Sequence, residues 1–98
     1  MSTNSLFISC ELQRPEKNYD RIVAAIQSVG EPWMQLQFTL WYLKTRLSAG
    51  QVRDRIKPAL DKNDQLVVID ASNTRLASIN LRADASKQLY DQGFLKVT

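Results

Sequence analysis

With 98 residues, 44% of them apolar and 23% charged, the chain has the material for one domain and no second core. Three glycines and three prolines exclude a collagenous or low-complexity chain; no apolar run approaches the roughly 18 residues of a membrane helix, and the polar, uncharged residues 1–5 do not read as a secretory signal. Thirteen Lys and Arg against ten Asp and Glu leave a net charge of +3, which permits a nucleic-acid partner without demanding one.

The sequence has no histidine, which removes imidazole bases, Ser-His-Asp triads and most zinc sites from a single chain. Its one cysteine, Cys10, cannot form an internal disulfide, and a reducing, cytoplasmic compartment fits that best.

In chain order, residues 6–12 read as a strand, with Leu6, Ile8, Cys10 and Leu12 on one face and Phe7, Ser9 and Glu11 on the other. Residues 13–18 form a polar loop in which Pro15 stops the strand. Residues 19–29 read as a helix capped by Asn18, with Ile22, Val23, Ile26 and Val29 as its apolar stripe and Gly30 and Pro32 ending it. Residues 33–37 and 39–45 read as two strands, or as one long strand with an irregularity near Gln37 and Phe38. Ser48 and Gln51 have the spacing of a capping box ahead of a helix carrying Val52, Ile56 and Leu60, whose last turn Pro58 kinks or tightens. Residues 65–71 are a strand whose continuous apolar run predicts burial on both faces.

The order β-α-β-β-α-β across residues 5–71 is the ferredoxin-like plan, an α+β fold with a four-stranded antiparallel sheet and two helices on one face. The whole chain, residues 1–98, then forms a single domain with its core in 5–71 and a C-terminal extension over 72–98. In that extension, residues 77–81 read as a short strand and residues 85–91 as a helix, capped by Asp84 and ended by Gly93. The second sheet face, carrying Phe7, Ser9 and Glu11, is left bare and apolar, which predicts a second copy of the chain as its cover. In such a dimer the tail pairs with the partner's sheet edge.

The opening Leu6-Phe7-Ile8-Ser9-Cys10-Glu11-Leu12, followed by Pro15 and Asn18-Tyr19, resembles that of SinR-type relatives of the CRISPR-associated Cas-two family. The likeness continues through Trp41-Tyr42-Leu43-Lys44-Thr45, Leu47-Ser48-Ala49, Arg53-Asp54-Arg55-Ile56-Lys57-Pro58 and Asp64-Gln65-Leu66-Val67-Val68-Ile69. The resemblance implies a homodimer, related in fold to virulence-associated protein D, whose relatives include metal-dependent nucleases and scaffolds that hold DNA without cutting it. It also implies that the carboxylate ending the first strand, here Glu11, is the catalytic metal ligand, holding Mg together with its copy across the dimer axis. The family usually has Asp there. Glu is one methylene longer, and Mg takes oxygens near 2.1 Å in tight octahedral geometry, so the departure weighs toward the non-catalytic relatives.

Each sharp reading stands beside a bland one. Glu11 is a metal ligand or a solvated strand-end carboxylate paired with Arg14; Asp70 is a second acidic ligand or a turn former. Arg14, Lys17, Arg46, Arg53 and Lys57 are phosphate contacts for RNA or DNA or ordinary solvated cations; positions 53 and 57 share a helix face, and Arg55 points elsewhere. Trp33, Phe38, Trp41 and Tyr42 are a base-stacking platform or core. Cys10 reads as an inert core thiol. Two functions follow: metal-dependent cleavage of a phosphodiester at Glu11, or a non-catalytic dimeric module that binds nucleic acid or protein.

Overall fold

Alternation in the first strand sets up two different faces. In β1 (Asn4–Glu11), Leu6, Ile8 and Cys10 enter one hydrophobic cluster and Phe7 packs on another across the sheet. The computed structural model describes residues 3–96; the outermost residues of the polar opening, 1–2, and of the C-terminal extension, 97–98, lie outside the described residues.

α1 (Pro15–Ser28) starts a full turn earlier than its apolar stripe suggests. Pro15 opens the helix, where a missing N–H costs nothing, instead of merely ending the strand. Asn18, expected as the cap, is buried in the first turn, and its amide donates to the Ala59 carbonyl (3.2 Å) and to Asp64 Oδ2 (2.8 Å). β2 (Trp33–Gln37) and β3 (Leu40–Thr45) are two strands of a hairpin, and the irregularity read from the sequence is a register shift between Gln35 and Gln37.

α2 (Ala49–Ile56) begins with the anticipated capping box. The Gln51 N–H donates to Ser48 Oγ (3.1 Å), and the Ser48 N–H donates to Gln51 Oε1 (2.8 Å). Around Pro58 the helix tightens into a 3-10 turn, Lys57–Ala59. β4 (Gln65–Asp70) completes an antiparallel sheet of order β2-β3-β1-β4. The fold is α+β and ferredoxin-like through this point, with the three α-helices of the described residues divided between the two sheet faces.

On the first face, Leu6, Ile8, Ile26, Leu43, Val52 and Ile56 are inaccessible to solvent, Ile22 is almost so, and Trp41 is 3% exposed. This core draws on β1, α1, β3 and α2 together.

The second face departs from the sequence reading. It is not bare. The chain turns through β5 (Arg75–Leu76), α3 (Ala83–Asp91) and β6 (Leu95–Lys96), with β5 and β6 pairing in parallel. The predicted strand over 77–81 is absent, and the helix starts at Ala83 after Arg82, with Asp84 in its first turn. Ala85 and Leu89 of α3, with Phe94, pack on Met34, Leu36 and Tyr42. Phe7, Tyr42 and Phe94 meet ring to ring at 5.5–5.6 Å. Gly93 takes φ 102°, the left-handed step that lets the chain turn off α3.

β4 also corrects the sequence. It is an edge strand covered on one side alone: Leu66 and Val68 pack half-buried against the α1–α2 core, while on the other side Val67 is 54% and Ile69 53% exposed, and α3 leaves both uncovered. An apolar run signals burial only when another layer lies over each face, and the tail docks over β2 and β3 instead.

Candidate nucleic-acid interface

Strand register places the candidate residues at two ends of the sheet. Asn4 of β1 lies opposite Thr45 of β3, and Glu11 lies opposite Gln65 of β4. Arg46, just past Thr45, is therefore separated from Arg14 by the length of β1, about 23 Å for seven steps of about 3.3 Å. The basic residues named from the sequence do not form one site in a single chain.

At the Glu11 end, Asp64 ties the loop before α1 to the loop before β4. One carboxylate oxygen accepts the Gln13 N–H (2.8 Å); the other accepts the Asp61 N–H (2.7 Å) and the Asn18 amide (2.8 Å). These bonds, the one from Gln13 foremost, hold the Asp64 carboxyl below its ordinary range. Beside it, Arg14, Lys17, Asp61 and Lys62 line an open concavity of about 310 Å³. Lys17 and Arg21 lie 3.6 and 3.7 Å from Asp61, so that acid neutralises part of the cluster. Asp64, Arg21 and Lys62 escaped the sequence reading. The Asp61-Lys62-Asn63-Asp64 turn was the available signal, because Asp residues spaced this way bond to nearby backbone N–H groups.

Glu11 ends β1, is exposed, and by register shares the face of Val67 and Ile69. Asp70 cannot join it. Asp70 lies opposite Leu6, at the far end of the pairing and on the α1–α2 face, the reverse of the face that carries Glu11. Its Oδ1 accepts the Ser72 N–H (3.1 Å) and hydroxyl (2.7 Å), which is the turn-forming role. Among the described residues, no three acidic or cysteine side chains gather as a metal-ligand group. The described residues thus gather no such set around Glu11, and a divalent ion there would need further oxygens from a second copy, from substrate or from water.

On α2, Arg53 Nε bonds the neighbouring Asp54 at 2.9 Å, while Arg55 and Lys57 stand exposed further along. α2 packs against β4, the edge strand of the sheet. The aromatic residues do not make a platform on the sheet. Trp41 and Tyr42 are buried on opposite faces, and Phe38 stacks on Tyr19 at 4.9 Å. Burial, with the nearby Asp64 charge adding to it, pushes the Cys10 thiol up to about 11, in keeping with an inert core residue.

Among the described residues no helix is long and apolar enough to cross a membrane. No family model and no curated protein sequence matches the chain.

Proposed function

We propose that the chain is a non-catalytic module that dimerises through β4 and binds nucleic acid across the joint. The observation that carries this reading is the free β4 edge. Its six residues hold no proline, lysine or bulge to deter pairing, and Val67 and Ile69 stand half exposed on one face. Antiparallel pairing of two β4 strands with Val68 on the axis sets Val67 of one copy beside Ile69 of the other and continues the sheet to eight strands.

That arrangement also places the two α2 helices on either side of the axis. Each, with the 3-10 turn that follows it, brings Arg53, Arg55 and Lys57 against one acid, Asp54. Doubling a modest cationic strip is how a chain of net charge +3 acquires a surface fit for phosphates. Arg14, Lys17 and Arg46 lie further out and contribute field more than contact.

The same geometry weighs against a metal shared by two Glu11 residues. Each sits one strand behind the edge, so three strand spacings, about 14 Å, separate the copies sideways alone. Oxygen ligands lie within about 2.6 Å of Mg or Ca, which that separation does not allow. The resemblance to the Cas-two and SinR-type proteins supports the scaffold branch of that family here. A lone buried thiol supports a reducing, cytoplasmic setting.

The test combines sedimentation with binding and cleavage assays on single-stranded RNA and duplex DNA, in Mg or Mn and in chelator. The expected result is a dimer that becomes monomeric in Val67→Lys/Ile69→Lys, and that retards nucleic acid without cutting it. Metal-dependent cleavage that disappears in Glu11→Ala would replace this reading with the nuclease one.

A further inference from the structure

The four-stranded sheet ends in two edge strands, β4 and β2, and their edges differ. β4 is antiparallel to β1, β1 to β3 and β3 to β2, so β2 and β4 run in opposite directions. A β4 strand from a second copy laid along β2 therefore makes an antiparallel pair and keeps the α1–α2 layers of both copies on one side. Such a contact joins two different surfaces, so it repeats without closing.

In an antiparallel ladder, residues whose backbone groups face the partner strand alternate with residues whose groups face away. The Lys44 N–H donates to the Pro32 carbonyl (3.0 Å), which turns the N–H and C=O of Trp33 and Gln35 outward, away from β3. On β4 the Ala71 N–H donates to the Ser5 carbonyl (2.8 Å), so Leu66 and Val68 present their backbone groups away from β1. Setting Gln35 opposite Val68 of the second copy brings the two sets into line. It also places Met34 beside Ile69, on the face that α3 covers over Met34 and leaves bare over Ile69.

One side chain stands in the way. Arg82, at the start of α3, donates from Nη2 to the outward carbonyl of Gln35 (2.7 Å). The acceptor an incoming strand needs is occupied, and a guanidinium lies in its path. Arg82 Nε is 3.5 Å from Asp84, in the first turn of α3. β2 also follows Pro32 and carries the register shift between Gln35 and Gln37, two features that deter pairing and that β4 lacks.

We propose that β2 is a second pairing edge, fitted to β4 of another copy, and that Arg82 holds it shut. With β2 open, each chain has a donor edge and an acceptor edge, and copies add one after another. With β2 shut, β4 pairs with β4 and assembly stops at the dimer. This pairing rests on the free β4 edge of the reading above but uses the opposite edge of the sheet.

Sedimentation velocity across a range of protein concentrations tests it. Arg82→Ala should shift the protein from dimer to larger species that grow with concentration. Asp84→Ala, which removes the ion pair and leaves the guanidinium on Gln35, should remain a dimer. Gln35→Pro added to Arg82→Ala removes an N–H that lies outside the β2–β3 ladder and should restore the dimer. Arg82→Ala/Val67→Lys/Ile69→Lys, with β2 open and β4 blocked, should be monomeric. Arg82→Ala that stays dimeric overturns the gate. Growth that survives Gln35→Pro comes from a loosened α3 and overturns it equally. A dimer of the β4-blocked variant means that β2 pairs with itself and overturns β4 as the occupant. Wild type that stays monomeric removes the β4 dimer proposed above, whereas growth of Arg82→Ala that Gln35→Pro reverses still carries the β2 edge.

Discussion

The two faces of one sheet are covered in different ways. The α1–α2 face is closed by elements interleaved with the strands, so each helix is tethered at both ends to the sheet it covers. The other is closed by α3, which arrives after the last sheet strand and is anchored by a smaller cluster around Tyr42, Leu89 and Phe94. The first face is inseparable from the fold. The second is a docked layer, and docked layers open at lower cost than the cores they cover.

Removing a methyl-rich side chain from each face should expose that difference. Ile26→Ala, at a fully buried position between α1 and the sheet, should cost about 2–5 kcal/mol and lower the midpoint of global unfolding for every probe. Leu89→Ala removes an equally buried side chain, and its local cost should be of similar size. Its signature should differ: hydrogen exchange should accelerate over α3 while protection in α1 and β1 holds nearly unchanged. Equal acceleration on both faces would show one cooperative unit.

A smaller effect tests the rim of the first face. Asp64 has a folded pKa below its ordinary 3.8, so its contribution is complete above that value and is lost as pH falls through the folded pKa. Stability against urea should hold level from neutrality to about pH 5 and then decline, with the decline shallower in Asp64→Asn. The smallest effect is at α2. Ser48→Ala removes half of the capping box and should cost about 1 kcal/mol, read as a shift in Tm on the first face's probes.

The first face was legible in the sequence because each of its signals is local. Leu6, Ile8 and Cys10 alternate, Ile22 and Ile26 repeat at helical spacing, and Ser48 with Gln51 marks a helix start within four residues. The second face was not, because nothing local states where a tail docks. Phe7 looks the same from the sequence whether Phe94 or another molecule covers it. The run Leu66-Val67-Val68-Ile69 misled for the same reason, since burial on both sides depends on how far a distant helix reaches. Of the candidate residues, Glu11 was correctly placed at a strand end. The dispersal of Arg14, Lys17, Arg46, Arg53 and Lys57 between two ends follows from strand direction and becomes visible once the register is known.

The burial of Cys10 has a practical consequence. A thiol shifted to about 11 and shut beneath α1 is almost wholly protonated at neutral pH and closed to alkylating reagents. When the first face opens, that thiol meets solvent and regains ordinary reactivity. The protein therefore carries its own unfolding clock: a brief pulse of maleimide counts the molecules whose α1 has lifted from the sheet. A cysteine engineered onto the surface would be the one labelled in the folded state.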